Sequence, residues 1–479
     1  MESQVLDLKS STIMSKTLIK NARLITASDD TRADLLIDGE KITAIGMDID
    51  ARTADVVIDA TDKLLLPGGI DNHTHLDMPF GGTVSSDDFF TGHRAALFGG
   101  TTSHVDFCIQ PKGHTLRQSL EMWRAKADGK AAMDYGFHVA ITDLTDAVME
   151  EIRDLPSMGV TSIKLFMAYK GALQVDDTTL FKCMRVAKES GVLTMVHAEN
   201  GDAIDILIKD AQAAGHTTPD WHERTRPPEL EAEATNRAIA LARAAGDAPL
   251  FIVHVTNEEA LNAISRARAR GQRTYGETCV QYFYFTRNNL NGSRNDPFEG
   301  AKWVCSPPFR EHSDQVALLR GIRLGDLMIV STDHCPFNYK TQKTLGAGSF
   351  AAIPNGVPGI EDRLVMLWNA AVLTGHISPS KFVELTATNP AKMFGLYPRK
   401  GTLSVGSDAD IVIWDPAVRH TVSAATSHMN IDYNLYEGMQ VTGKAEKVFL
   451  RGSLVVDGSS WLGTRGGGRF MARASALLA

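Results

Sequence analysis

Residues 68–75 read GGIDNHTH and residues 327–334 read LMIVSTDH. Each is a short apolar run that ends in groups able to bind a metal ion. Six similar runs lie between them: TTSHVDF (101–107), YGFHVAI (135–141), TSIKLFM (161–167), LTMVHAE (193–199), LFIVHVT (250–256) and RTYGETCV (273–280). The longer intervening stretches, such as DDTTLFKCMRVAKESG and NEEALNAISRARARGQ, carry apolar residues near helical spacing. Asp177 and Asn257 are placed to cap two of these helices, and Gly191 and Gly271 to end them. Eight strand–helix alternations predict a (β/α)8 barrel, with a doubly wound sheet as the structural alternative. No Walker-type loop and no G-x-G-x-x-G after a strand is present, which argues against nucleotide chemistry.

The two ends of the chain resemble each other and differ from the middle. TLIKNARLITA and ADLLIDGEKITAIG near the start, and DADIVIWDP and EKVFLRGSLVVDG near the end, alternate apolar and polar residues around turn signals. We expect one small β-sandwich-like domain made from residues 1–66 and 396–479, with a barrel at 67–395 inserted into it. Residues 1–15 read as a loose polar extension, with Met14 a second candidate start, and the C-terminal tail as an oligomerisation segment.

The net charge of −8 and the absence of a Lys/Arg run speak against a nucleic-acid surface. Five cysteines, an odd number without a C-x-x-C pair, predict a reducing cytoplasm rather than a disulfide framework. No apolar run approaches the roughly 20 residues that span a bilayer, so no membrane role is expected.

Catalytic groups of such barrels sit at the C-terminal ends of the strands. The runs place His73, His75, His197, His254 and Asp333 there, with Lys164 inside run four. Residues two apart on a strand share a face, so His73 and His75 can grip one ion. Four histidines and an aspartate exceed the needs of one open catalytic ion, and a pair of divalent ions is the natural reading. A buried Lys164 has its charged form disfavoured. As a neutral amine it can take up carbon dioxide, and the carbamate can bridge two cations. His104 and His138 read as packing or supporting groups, and His334 and Cys335 as structural residues pointing away from the site.

Beyond these positions, long motifs stand in order: PGGIDNHTHLDMPFGGTVSSDDFFTG, SIKLFMAYKG, VHAENGD, RPPELEAEAT, ETCVQY, CSPPFR, STDHCPF, AIPNGVPGIEDR and NPAKMFGLYPRKGTLSVGSDADIVIWDP. Together they resemble the dihydropyrimidinase/hydantoinase family over nearly the whole chain. The resemblance implies a cyclic-amide hydrolase with a binuclear, usually zinc, centre, manganese or cobalt being compatible with the same ligands. It implies His73, His75 and Asp333 on one metal, His197 and His254 on the other, and Lys164 as a bridging N6-carboxylysine. It assigns Asp333 as proton carrier, Tyr169 as oxyanion donor, and Ser306 and Asn355 as holders of the cyclic amide. It also implies a homotetramer acting on a small substrate, either a dihydropyrimidine or a hydantoin. The loops after runs one and four are expected to form the side-chain pocket, with Phe80, Leu173 and Tyr169 as candidates near the ring.

Alternatives come from the same scaffold. An allantoinase-like ureide hydrolase shares the metal site, but DMPFGGTVSSDDF favours the dihydropyrimidinase side. Dihydroorotase carries an arginine where this chain has Asp77. A non-catalytic collapsin-response-like scaffold lacks ligands that are all present here. Asn72, before the H-x-H pair, and His104 depart from the family pattern without removing a ligand.

Overall fold

Five short strands open the chain: β1 Thr17–Ile25, β2 Asp30–Asp38, β3 Lys41–Gly46, β4 Val56–Asp59 and β5 Leu64–Pro67. β6 Gly69–Thr74 begins the central sheet, followed by a small hairpin of β7 Pro79–Phe80 and β8 Thr83–Val84. The sheet continues with β9 Thr101–Ile109, β10 Asp134–Ala140, β11 Ser162–Phe166, β12 Leu193–His197, β13 Leu250–Ile252, β14 Thr274–Cys279 and β15 Ile329–Ser331. β16 Ile411–Thr421, β17 Gln440–Leu450, β18 Ser453–Asp457 and β19 Ser460–Trp461 close the chain. This computed structural model describes residues 15–475. The extension expected at 1–15, with Met14, lies outside them except for Ser15.

β6 and β9–β15 pair in sequence order, all parallel, as eight neighbouring strands. A parallel bridge from Thr74 to His334 and a 2.8 Å bond from His75 N–H to the His334 carbonyl bring the two edges together. The fold is therefore the expected barrel and not the open sheet. Alternation along each strand explains it. Phe107, Leu193, Met195, Phe251, Val253, Tyr275 and Ile329 point inward and meet Met393 and Phe394 in one core. Their neighbours Cys108, Val196, Leu250, Ile252 and Val330 point outward into the layer beneath the helices. Strands buried on both faces in this way must be parallel and covered by helices.

The helix signals hold with one shift of register. Asn257 caps Glu258–Ala269 by accepting from Ala260 N–H, as expected. The helix Asp177–Glu189 is capped by Asp176, not Asp177; the Asp176 side chain accepts from Thr179 N–H. With two adjacent aspartates, the extended backbone at Asp176 decides which one caps. Gly191 and Gly271 both take the left-handed conformation that ends a helix, with φ of 69° and 78°.

The chain ends join in a second sheet, ordered β19-β18-β17-β16-β5-β1-β2-β3, with β4 added on β1. Here β5 of the N-terminal part pairs antiparallel with β16 of the C-terminal part. Ile19, Leu35, Ile37 and Leu65 share a core with Ile411, Ile413 and Phe449. Between this sheet and the barrel, the buried Lys400 ammonium contacts Asp134 at 2.8 Å, Asp408 at 3.2 Å and Asp410 at 2.5 Å.

Candidate active site

The expected ligands converge at the C-terminal rim of the barrel. His73 Nε2 and His75 Nε2 lie 3.1 and 3.0 Å from the same oxygen, Asp333 Oδ1. The ring centroids of His197 and His254 are 4.5 Å apart, and His254 lies 5.4 Å from His73. The ligand atoms of one donor trio here, His73, His254 and Asp333, all fall within 4.8 Å of one another. That trio spans the two ligand sets implied by the resemblance, so both sets face one space.

Three of the expected ligands, His75, His254 and Asp333, sit just beyond their strands, and two of them leave by a bend. β13 stops at Ile252 and β15 at Ser331, while His254 and Asp333 take positive φ values of 41° and 51°. Tyr169, three residues past β11, does the same at 68°. Non-glycine residues held there are strained, and such strain clusters at functional sites. The bend turns His254 and Asp333 across the rim instead of along the strand.

Lys164 is buried to 1% exposure on the inward face of β11. Among the described residues it makes no salt bridge, and its Nζ lies 4.6 Å from the centre of the Phe107 ring. Burial lowers its pKa to about 8, although Asp333 and Glu277 push the other way. A neutral amine is thus accessible near physiological pH, as carbamate formation requires. Burial would also lower His73, but Asp333 and Glu277 outweigh it and hold the ring at about 9. His75 follows burial down to about 4. The Asp333 carboxyl resists burial because His73 and His75 surround it, and it stays well below the usual carboxylate range.

A supporting layer fixes the ligands. Glu277 on β14 binds His73 Nδ1 with one oxygen and Asn72 Nδ2 with the other. This orients His73 so that Nε2 faces the centre. Glu199 Oε2 takes His197 Nε2 at 2.7 Å, which leaves Nδ1 of that ring for a ligand. Thr74, between the two histidines, points outward into a chain whose proton positions follow from its far end. Ala132 and Met133 N–H groups donate to His93 Nδ1, so His93 Nε2 donates to His104 Nε2 at 2.7 Å. His104 Nδ1 then donates to Thr74 Oγ1, and Thr74 to Asp106 Oδ2. His104 therefore supports the H-x-H segment, and His138, bonded to Ser162 and the Asn72 carbonyl, supports it from the next strand. Glu277 and Phe107 have no role in the sequence reading; a carboxylate in the middle of run seven was the available signal.

The cavity over these groups is lined by Lys164, the histidines, Asp333, Tyr169, Ser306 and Asn355. Its apolar side is Met78, Phe80, Ile109, Phe166 and Leu173. Phe80 and Leu173 thus line the same cavity as the expected ligands. Cys335, expected to point elsewhere, also lines the cavity. His334 does point away, bonding Asp87 and the Gly359 N–H. The Tyr169 hydroxyl bonds Ser306, and burial raises its pKa, so it stays protonated and able to donate. Asn355 Nδ2 donates to Ser306 Oγ at 3.2 Å. Asp77 faces Lys130 at 3.4 Å and is not part of the cavity wall.

The donor set suits divalent ions. Imidazoles, a carboxylate and a buried amine line one cavity, and among the described residues the Nδ1 atoms of His75 and His254 are buried without hydrogen-bond partners. A barrel with such a rim defines a hydrolase of the metal-assisted type. Residues 64–455 match the family model described as "Amidohydrolase family". The chain belongs to that family. It is 49% identical to a D-hydantoinase of Streptomyces coelicolor over 96% of this chain and 98% of the relative. A dihydropyrimidinase of Rattus norvegicus is 40% identical, over 96% and 89%. The crystal structure of a dihydropyrimidinase from Brevibacillus agri superposes with a TM-score of 0.94 at 52% identity, over 96% and 99%.

Proposed function

We propose that this protein opens cyclic amides by hydrolysis, converting 5,6-dihydropyrimidines or 5-substituted hydantoins to N-carbamoyl amino acids. The observation that carries this is the meeting of six metal-type groups and three polar ring-binding groups in one cavity. The names of the close relatives support it. We infer that His73, His75 and Asp333 hold one divalent ion, His197 and His254 a second, and N6-carboxylated Lys164 both. Zinc suits the set best, with manganese or cobalt as substitutes. Bound there, such ions polarise a carbonyl and bring water's pKa down to about 7.

The residues supply the rest. Asp333, low in pKa and aimed at the centre, accepts the proton released on attack and delivers it to the departing ring nitrogen. Tyr169 donates to the oxygen that gains charge as the carbonyl becomes tetrahedral. Ser306 and Asn355 hold the ring's amide edge through their backbone groups. Phe80 and Leu173 receive the substituent. A pocket of this kind separates substrates differing by one methylene by only about 1–3 kcal/mol, so a broad range of substituents is expected.

We further propose a barrel at 67–395 flanked by a terminal domain from 1–66 and 396–479, a homotetramer, and a cytoplasmic setting. The five unpaired, buried cysteines support a reducing compartment, and none of the described helices is long and apolar enough to cross a membrane. The deciding experiment assays the zinc-loaded protein on dihydrouracil and 5-phenylhydantoin side by side, following carbamoyl product. Turnover of either supports the reading, and their ratio tells which ring is preferred. Two bound metals with no turnover of either would remove it in favour of other cyclic ureides.

A further inference from the structure

Lys343 is fully buried and outside the metal centre. It opens the 3-10 turn Lys343–Gly346 that follows the rim loop after β15. Its ammonium donates to three carbonyls: Val304 at 2.9 Å, Pro354 at 2.8 Å and Gly356 at 2.7 Å. These are all the donors a lysine has. No carboxylate lies within salt-bridge distance of it among the described residues, and burial lowers its pKa to about 7. A buried cation without a counter-charge is costly to keep, and nothing in the metal chemistry uses it.

The three carbonyls are informative. Val304 stands two residues before Ser306. Pro354 and Gly356 flank Asn355. Val304 O also accepts from Gly356 N–H at 3.0 Å, so the two segments already touch. The backbone at Gly356 has φ of 146°, and a Cβ there would meet the Cys335 carbonyl at 2.3 Å. The second segment is thus bent close against the rim in a conformation that side-chain-bearing residues rarely adopt.

We propose that Lys343 is a positioning residue for substrate: its ammonium ties the Ser306 and Asn355 segments into one frame that presents their backbone groups to the ring. This rests on the ring-binding role given above to Ser306 and Asn355. Lys343 does not line the cavity and its ammonium bonds only backbone carbonyls outside the proposed metal ligands, so its loss weakens binding of ground state and transition state alike.

The test is Lys343→Met, which keeps the length and removes the donors. Steady-state kinetics on the better of the two cyclic substrates are compared with wild type, with metal content measured alongside. The expected result is a KM raised about tenfold or more, kcat changed by less than about threefold, and unchanged metal. A merely structural lysine would lower Tm and the yield of active protein and leave KM in place, and that result overturns the proposal. If Lys343→Met does not fold, Lys343→Gln, with two N–H donors, carries the same comparison. Failure of both to fold assigns Lys343 to the fold alone and likewise overturns it. A wild type that opens neither ring overturns the parent reading, and this one with it. An active wild type with KM unmoved in the variant overturns this one alone.

Discussion

Lys164 and Tyr169 stand five residues apart, and their substitutions should separate metal binding from catalysis. Lys164→Ala removes the group proposed to bridge the two ligand sets; the protein is expected to lose metal and turnover together. Full activity with two metals retained, by elemental analysis, would exclude a bridging carbamate. Tyr169→Phe keeps the ligands and is expected to slow kcat by roughly 10²–10³, the cost of one oxyanion donor. An unchanged rate removes Tyr169 from that role. The protonation of His73 adds a pH dependence. In the metal-free protein its ring titrates at about 9, raised by Asp333 and Glu277 against burial. That proton must leave before Nε2 can bind an ion, so metal affinity should rise with pH up to about 9. Chelator competition between pH 6 and 9 checks this, and a flat profile would contradict it. At this scale the sequence was most legible where chemistry follows spacing. His73 and His75 share a face because strands repeat every two residues. Glu277 was hidden because its partner lies over two hundred residues away. The turn of His254 and Asp333 across the rim was hidden because positive φ at a non-glycine residue leaves no local signature.

Among the strands, β14 carries Glu277, the partner of His73 Nδ1, and supplies none of the proposed ligands. Glu277→Gln weakens the acceptor that sets the His73 tautomer and leaves the cavity walls intact. Metal affinity is expected to fall roughly 10–100-fold, as for other outer partners of ligating histidines. Equal affinity by calorimetry would show that the barrel alone orients the ring. All eight barrel strands were readable from apolar runs, since both faces of each are buried. Their lengths were not. LFIVHVT promises seven residues and β13 has three, because the chain leaves the sheet to place His254. The β7–β8 hairpin carrying Phe80 was unreadable, since two-residue strands have no periodicity. The cap at Asp176 was misplaced by one residue for a similar reason: adjacent aspartates offer the same chemistry.

For the whole molecule, Lys400 is the point where barrel and terminal sheet depend on each other. Asp134 belongs to β10, whereas Asp408 and Asp410 precede β16. Lys400→Met would leave buried carboxylates without their cation. A loss of about 3–5 kcal/mol is expected, read as a lower urea midpoint. An unchanged midpoint would mean that Arg451, which also pairs with Asp134, suffices. That the two ends share a domain was legible because both alternate apolar and polar residues. That they form one continuous sheet was not, since pairing between β5 and β16 depends on the folded barrel bringing them together. This pairing also sets a timetable for the growing chain. At about 5–20 residues per second, the roughly 340 residues between Pro67 and Ile411 take about 20–70 seconds to emerge from the ribosome. Throughout that interval β1, β2 and β3 can zip against one another, but the outer edge of β5 waits, apolar and unpaired, for a strand not yet made.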